Sequence, residues 1–433
     1  MTELSLQTLA EKKMQTMSVA DTIVQRIVDE GVAHCFGVAG DYLSRCSPSV
    51  KWIGCANELN AAYAADGYAR IRGAGMLATT YGVGELSALN GVMGAKAERS
   101  LVFHVVGMPS YQNQRLSKIA HHTLGDGHFG NFAGLSAAAA CCSALINPDN
   151  CIIEMERVVG EARRNNQPAY ILVPSDYALA TVTPVEVRRL TLRSSAAMLK
   201  KAVEVVTERL KGARSVIVLP AFTIARLGLQ KEFREAIEAL GVPFATMLME
   251  KCIIDESHPQ FAGLYAGAMS AQSTREIVEG ADLVLDLGGV SLNDITTAAY
   301  SAKLDPARFI TIGLNDVRMG EKVIGGVRLA DMLVELGKLK LNTAPFRRTV
   351  ESAKPISGRP SDKITMDALY PRYAAFVRAG DTVVLETGSS TLSRDSLNDQ
   401  RIDGSLPVQG SHGCVDYAVE GVGISEGLMG QMA

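Results

Sequence analysis

The sequence predicts an α/β protein of three doubly wound parallel-sheet domains, the third incomplete. Two observations carry this. Short runs rich in Val, Ile and Leu alternate with stretches of helical period along the chain, the pattern of helices covering both faces of parallel strands. The alternation is broken twice, by "VEVRRLTLRSSAAM" at 185–198 and by the polar, proline-bearing "NTAPFRRTVESAKPISGRPSD" at 342–362. The predicted domains are therefore 1–187, 196–341 and 362–433.

The first domain reads as a helix over 19–30, strands "HCFGV" and "KWIGC", and a helix opening at Glu58. The strand "GMLATTYG", a helix from about 85, the strand "SLVFHVVG", a helix near 154–165 and the strand "PAYILVP" complete it. In the second, helices separate the strands "RSVIVLP", "VPFATML", "ADLVLDLGG" and "RFITIGL". The third opens with a helix around 364–378 and the strand "DTVVLETG", and too few elements follow before residue 433 to close an α/β domain.

Composition narrows the function. Over 433 residues, 47% apolar and 21% charged residues are ordinary for a globular chain. A net charge of −3 without a Lys/Arg cluster gives nucleic acid no electrostatic footprint. The longest apolar run, "AGLSAAAACCSALI", is too short and alanine-rich to cross a bilayer, so no membrane is expected. Eight cysteines without a C-x-x-C spacing, behind an N-terminus unlike a signal peptide, read as reduced thiols of a cytoplasmic protein. The seven histidines hold no i, i+4 pair and no H-E-x-x-H, so no zinc site is expected.

Four polar clusters fall at predicted strand ends, where open α/β sheets place their ligands. In "CANELNAAYAADGYAR", Asn57 caps a helix and Glu58 opens it, with Ala61, Ala62 and Ala65 forming a small face suited to close packing. A glutamate there suits the helix dipole, and a buried one needs a partner. "TTYGVGELSALNG" runs from strand to helix through Gly82 and Gly84, which permit close backbone approach, although simple turn chemistry also explains them. The neighbouring side chains of His121 and His122 in "HHTLGDG" point in different directions, so one core role cannot explain both; they are surface-loop residues or a proton-passing pair. Asp41 in "GVAGDY" is a helix cap or a catalyst, and "ETGSS" offers Thr387, Gly388 and Ser389 at a further turn.

These segments, with "HVVGMPS" and "IDESHPQFAGLYAGAMS", closely resemble the thiamine diphosphate-dependent pyruvate/indolepyruvate/phenylpyruvate decarboxylase family. The likeness covers most of 18–315 and thins after about 390. It implies non-oxidative decarboxylation of a small 2-oxo acid to an aldehyde and carbon dioxide, with thiamine diphosphate and Mg²⁺ as cofactors, in a homodimer or tetramer. The domains then become an N-terminal pyrimidine-binding domain, a central α/β domain and a truncated diphosphate-binding domain. Glu58 resembles the glutamate that hydrogen-bonds the aminopyrimidine ring and drives its tautomerisation. Asp41, His121 and His122 resemble the proton-handling set around the substrate, and Thr387, Gly388, Ser389, Gly410, Ser411 and His412 are implied to contact the cofactor.

The departures matter as much. The family's G-D-G, followed after roughly 25 residues by N-N, holds magnesium on the diphosphate; here the only G-D-G is 125–127 and the only N-N is Asn165–Asn166. No magnesium ligand is therefore assigned, and the segment from Asp41 to Glu58 is shorter than the family's. A second expectation follows: a catalytically impaired or accessory chain, lending Glu58 and the histidines to a complete relative in a hetero-oligomer.

Overall fold

The computed structural model describes residues 17–42, 49–187, 192–247, 250, 253–289, 297–341, 346, 358–365, 368–369, 372, 375–376, 383–385 and 408–410. They fall into two units divided between Leu192 and Arg193.

In the first unit, helix α1 (Val19–Val28) precedes strands β1 (His34–Gly37) and β2 (Lys51–Gly54), and α2 (Glu58–Arg72) precedes β3 (Gly75–Thr80). Then come α3 (Val83–Ala97), β4 (Val102–Met108), α4 (Tyr111–Arg115), α5 (Ala133–Ala138), β5 (Cys142–Leu145), α6 (Cys151–Asn165), β6 (Ala169–Pro174) and α7 (Ser175–Ala178). The six strands form a wholly parallel sheet in the order β2-β1-β3-β4-β6-β5. Its central strands β3 and β6 are buried at every position, as strands covered on both faces must be. Strand β5 escapes the sequence reading, because its Ala, Cys and Ser residues lack β-branched character; pairing with β6 at the sheet edge fixes it instead.

Helix α2 starts where Asn57 Oδ1 accepts from Asn60 N at 2.9 Å, and it ends at Gly73, whose φ is +88°. Its alanine face packs on α3 so closely that a Cβ on Gly91 would lie 2.7 Å from Ala62 Cβ. The other face is covered too: Tyr63 is buried and accepts from Asn90 Nδ2 at 3.2 Å, while Arg70 pairs with Asp66 at 2.8 Å.

The second unit contains α8 (Ala196–Gly212), β7 (Val216–Pro220), α9 (Thr223–Arg226), α10 (Gln230–Leu240), β8 (Phe244–Thr246), β9 (Phe261–Leu264) and α11 (Gln272–Gly280). They are followed by β10 (Leu283–Leu287), β11 (Phe309–Ile312), β12 (Asp316–Met319), β13 (Lys322–Gly325) and α12 (Leu329–Leu336). The sheet runs β13-β12-β11-β10-β7-β8-β9, so among the described residues no sheet is continuous from the first unit into the second. It departs from an all-parallel expectation at one edge. There β12 and β13 form an antiparallel hairpin through Gly320, whose φ is +57°. Two apolar clusters make its core: one in which Phe233, Phe244, Leu285 and Leu333 are fully enclosed, and another built around Ile217, Ala245 and Tyr265. A separate parallel pair joins β14 (Val383–Leu385) to β15 (Val408–Gly410). Most of the predicted third domain lies outside the described residues.

One buried base marks the first sheet. His104 on β4 is 2% exposed, with Nε2 2.9 Å from Thr79 Oγ1, and burial pulls its pKa from 6.5 down to about 3. The folded chain keeps the ring neutral while the unfolded chain takes up a proton below 6.5. Stability therefore falls as pH drops from the unfolded value toward the folded one, and this contribution is constant above it. The urea midpoint should be lower at about pH 5 than at about pH 7, and His104→Gln should shrink the difference.

Candidate active site

The chain passes from β1 to β2 on one side and returns to β3 on the other, so the switch point of the first sheet lies between the carboxyl ends of β1 and β3. Ligand crevices open at such points. Asp41 follows β1 and the turn Thr80–Gly84 follows β3.

The turn is held from beneath by Glu85, which is 0% exposed. Its carboxylate accepts from Gly82 N at 2.9 Å, from Ser136 Oγ at 2.8 Å and from the Tyr170 hydroxyl. Tyr81 OH donates to the Phe129 carbonyl at 2.8 Å, joining the turn to the histidine-bearing loop. Three glycines let chains meet here. A Cβ on Gly40 would lie 2.8 Å from Thr80 Cβ, and one on Gly82 would lie 2.0 Å from the His122 carbonyl oxygen. One on Gly84 would lie 2.9 Å from Thr80 Cγ2 and 3.2 Å from Glu58 Oε1, so the bare backbone at Gly84 lets Thr80 and that carboxylate close on the turn.

Glu58 is half-buried in the first turn of α2, and Thr80 Oγ1 is buried with no hydrogen-bond partner among the described residues. Asp41, His121 and His122 converge. Asp41 Oδ2 lies 3.0 Å from His121 Nε2 and 3.9 Å from His122 Nε2. The two imidazoles do not point apart as neighbouring side chains ordinarily do: φ of +61° at His122 turns the ring centroids to 4.6 Å. Tyr42, which the sequence reading did not single out although it ends the quoted "GVAGDY", stacks on His121 at 5.2 Å. Its hydroxyl lies 3.5 Å from His121 Nδ1.

Asp126 has a structural task. It accepts from His128 N and Asn131 Nδ2, both at 2.9 Å, and these bonds hold its carboxyl below the usual range. Of the remaining residues implied by resemblance, Thr387, Gly388, Ser389, Ser411 and His412 lie outside the described residues, and Gly410 ends β15.

Residues 17–129 match the family model described as thiamine pyrophosphate enzyme, N-terminal TPP binding domain, and residues 203–333 match that of the central domain. The chain belongs to the thiamine pyrophosphate enzyme family. A protein of Mycobacterium leprae named alpha-keto-acid decarboxylase is 34% identical over 393 residues, covering 88% of this chain and 69% of that relative. One of the same name from Mycolicibacterium paratuberculosis is 35% identical over 392 residues, covering 86% and 68%. A solved structure from Mycobacterium smegmatis, described provisionally as a thiamin diphosphate-dependent enzyme, superposes with a TM-score of 0.72. It shares 17% identity and covers 96% of this chain and 81% of its own, which supports the fold alone. Glu58, Asp41, His121 and His122 all lie within the stretch matched to the thiamine pyrophosphate-binding domain.

Two substitutions test this construction. Glu85→Ala strands the Gly82, Ser136 and Tyr170 donors in the interior and should destabilise the chain by about 3 kcal/mol in urea unfolding. Gly84→Ala puts a methyl against Thr80 and Glu58 while gaining helix propensity. Because that methyl would lie 2.9 Å from Thr80 Cγ2, the turn must shift: the thermal midpoint should fall by about 4 °C and thiamine diphosphate binding should weaken by roughly tenfold, read by isothermal titration.

Proposed function

We propose that this chain catalyses non-oxidative decarboxylation of a 2-oxo acid, of the pyruvate or aryl- or indolepyruvate type, to an aldehyde and carbon dioxide, with thiamine diphosphate as cofactor. The observation that supports this best is the meeting, at the switch point of a parallel sheet, of a carboxylate facing bare glycine backbone with an Asp–His–His set on the adjoining loops. The aminopyrimidine end of the cofactor fits the Glu58 side: a Cβ at Gly84 would fill the space that Glu58 Oε1 borders at 3.2 Å, and the unpartnered Thr80 hydroxyl lies in the same turn.

Bound thiamine diphosphate supplies a carbon nucleophile and a positively charged ring that accepts the electrons released with carbon dioxide. Glu58 holds a proton against the aminopyrimidine ring nitrogen, orienting the ring and setting its tautomer. The half-buried position strengthens that hydrogen bond relative to one in water. His121 and His122 would hydrogen-bond the substrate carboxylate and supply the proton taken up by the carbon from which carbon dioxide leaves, for which imidazole is suited near neutral pH. Asp41, with Oδ2 3.0 Å from His121 Nε2 and 3.9 Å from His122 Nε2, orients both rings. Tyr42 fixes the plane of His121 by stacking.

Magnesium belongs to the same proposal as the counter-ion of the diphosphate, since a divalent ion neutralises phosphate charge through oxygen ligands. So does assembly into a homodimer or tetramer, or with a complete relative, as the family resemblance implies. Among the described residues no helix is long and apolar enough to cross a membrane.

Glu58→Gln keeps the shape and the hydrogen-bonding capacity but cannot share a proton. Turnover of a 2-oxo acid should fall by on the order of a hundredfold or more, with an unchanged circular dichroism spectrum. Near-normal turnover in this variant would sink the role given to Glu58.

A further inference from the structure

Asp41, His121 and His122 present ligand atoms that all lie within 4.8 Å of one another. We propose that these three side chains form a binding site for a divalent transition-metal ion of the zinc type. His121 Nε2, His122 Nε2 and an Asp41 carboxylate oxygen are its ligands, and a fourth position is open to water. This departs from the expectation drawn from histidine spacing, because the ligands come from adjacent histidines and a distant loop rather than from one helix face.

The geometry carries it. Ligand atoms around a tetrahedral zinc with bonds near 2.0–2.1 Å are about 3.3 Å apart. The two nitrogens lie 3.0 and 3.9 Å from Asp41 Oδ2 and all three ligand atoms within 4.8 Å of one another, so closing the set asks His122 Nε2 to move about 0.6 Å toward Asp41 together with small ring rotations. Both rings offer Nε2 to the same oxygen because His122 takes a left-handed φ of +61°, and the bare backbone at Gly82 lets the His122 carbonyl sit close against the turn. On His121 the other ring nitrogen faces Tyr42 OH at 3.5 Å, the outer-shell arrangement that orients a metal-bound imidazole. On His122 Nδ1 is buried, so Nε2 is the nitrogen an ion can reach. The Asp41 and His121 side chains are 70% and 56% exposed, which leaves a path for entry.

Donor chemistry sets the class of ion. Two imidazoles and one carboxylate suit zinc and its first-row neighbours, whereas magnesium prefers an octahedral shell of oxygens and gives up water reluctantly. Occupancy would also have a consequence for catalysis, which rests on the proton-handling role assigned above: a ring nitrogen bound to metal cannot accept a proton. Metal binding at this triad should therefore inhibit decarboxylation.

The test starts with the metal-free full chain without thiamine diphosphate. Isothermal titration with zinc chloride should give one ion bound per chain, and cobalt(II) should develop visible absorption bands that zinc abolishes and excess magnesium does not. Asp41→Asn, which removes a charge from an exposed loop, and His121→Gln should each weaken zinc binding at least about tenfold. The double change of Cys141 and Cys142 to Ser, which removes a thiol pair 3.8 Å apart as a rival site, should leave binding unchanged. Wild-type affinity retained in Asp41→Asn and His121→Gln, or no binding by the parent chain, would overturn the proposal. Adding zinc to the cofactor-loaded chain separates the two ideas. Inhibition reversed by a chelator supports both, whereas binding as described with turnover unaffected keeps the metal site and removes the histidines from the chemistry.

Discussion

The candidate site depends on one buried carboxylate. Glu85 is fully enclosed, and an anion there is tolerable only because donors from three separate places converge on it: the amide of Gly82, the hydroxyl of Ser136 and that of Tyr170. Those donors belong to the turn after β3, to α5 and to β6. The carboxylate thus fixes how the turn sits on the sheet, and the turn in turn fixes what can approach it. Gly82 receives the His122 carbonyl and Gly84 receives Glu58. Moving the turn by an ångström would shift Glu58 relative to the histidine pair, since both are gauged against the same few backbone atoms.

The sheet explains why these loops meet at all. A strand order in which the chain leaves β1 to one side and returns to the other opens a gap between loops that would otherwise be bridged by a crossover. Close packing beneath brings them together. A Cβ on Gly37 would lie 2.3 Å from the Ala78 carbonyl oxygen, and one on Gly75 would lie 2.3 Å from that of Ala65. Small residues in α2, α3 and β3 therefore act on function through distance, and their substitution would displace the loops as well as the core.

Much of this was legible in the sequence, and the limits have physical causes. Strands such as "AYILVP" and "MLATT" announce themselves because both faces are buried and every position is apolar or β-branched. Asn57, Glu58 and the alanine face of α2 are local signals, and the structure places them as local rules require. Strand β5 was hidden because its identity comes from pairing with β6 and not from its own residues. Glu85 was equally hidden: its Ser136 and Tyr170 partners are 51 and 85 residues away, and nothing near it in the chain marks it as different from a first-turn glutamate. The mutual orientation of His121 and His122 was misjudged for another reason. Side-chain direction at adjacent residues follows φ, and a left-handed φ at histidine is uncommon enough that sequence alone does not call for it.

That left-handed residue links local cost to chemistry. A non-glycine residue in this region costs of order 1–3 kcal/mol and persists only where its surroundings hold it. Here the holding contacts are identifiable. The His122 carbonyl lies where any side chain at residue 82 would block it, Tyr81 anchors the far end of the loop through Phe129, and Asp41 draws both imidazoles toward one oxygen. The result is two basic nitrogens facing one carboxylate, with solvent access. That arrangement underlies the proton-passing role proposed for the pair, because both rings present a nitrogen to the same oxygen. It is also suited to gripping a cation, because the same lone pairs converge. The two proposed uses exclude each other at any instant, because a ring nitrogen bound to a metal of the kind imidazole prefers has no lone pair left for a proton.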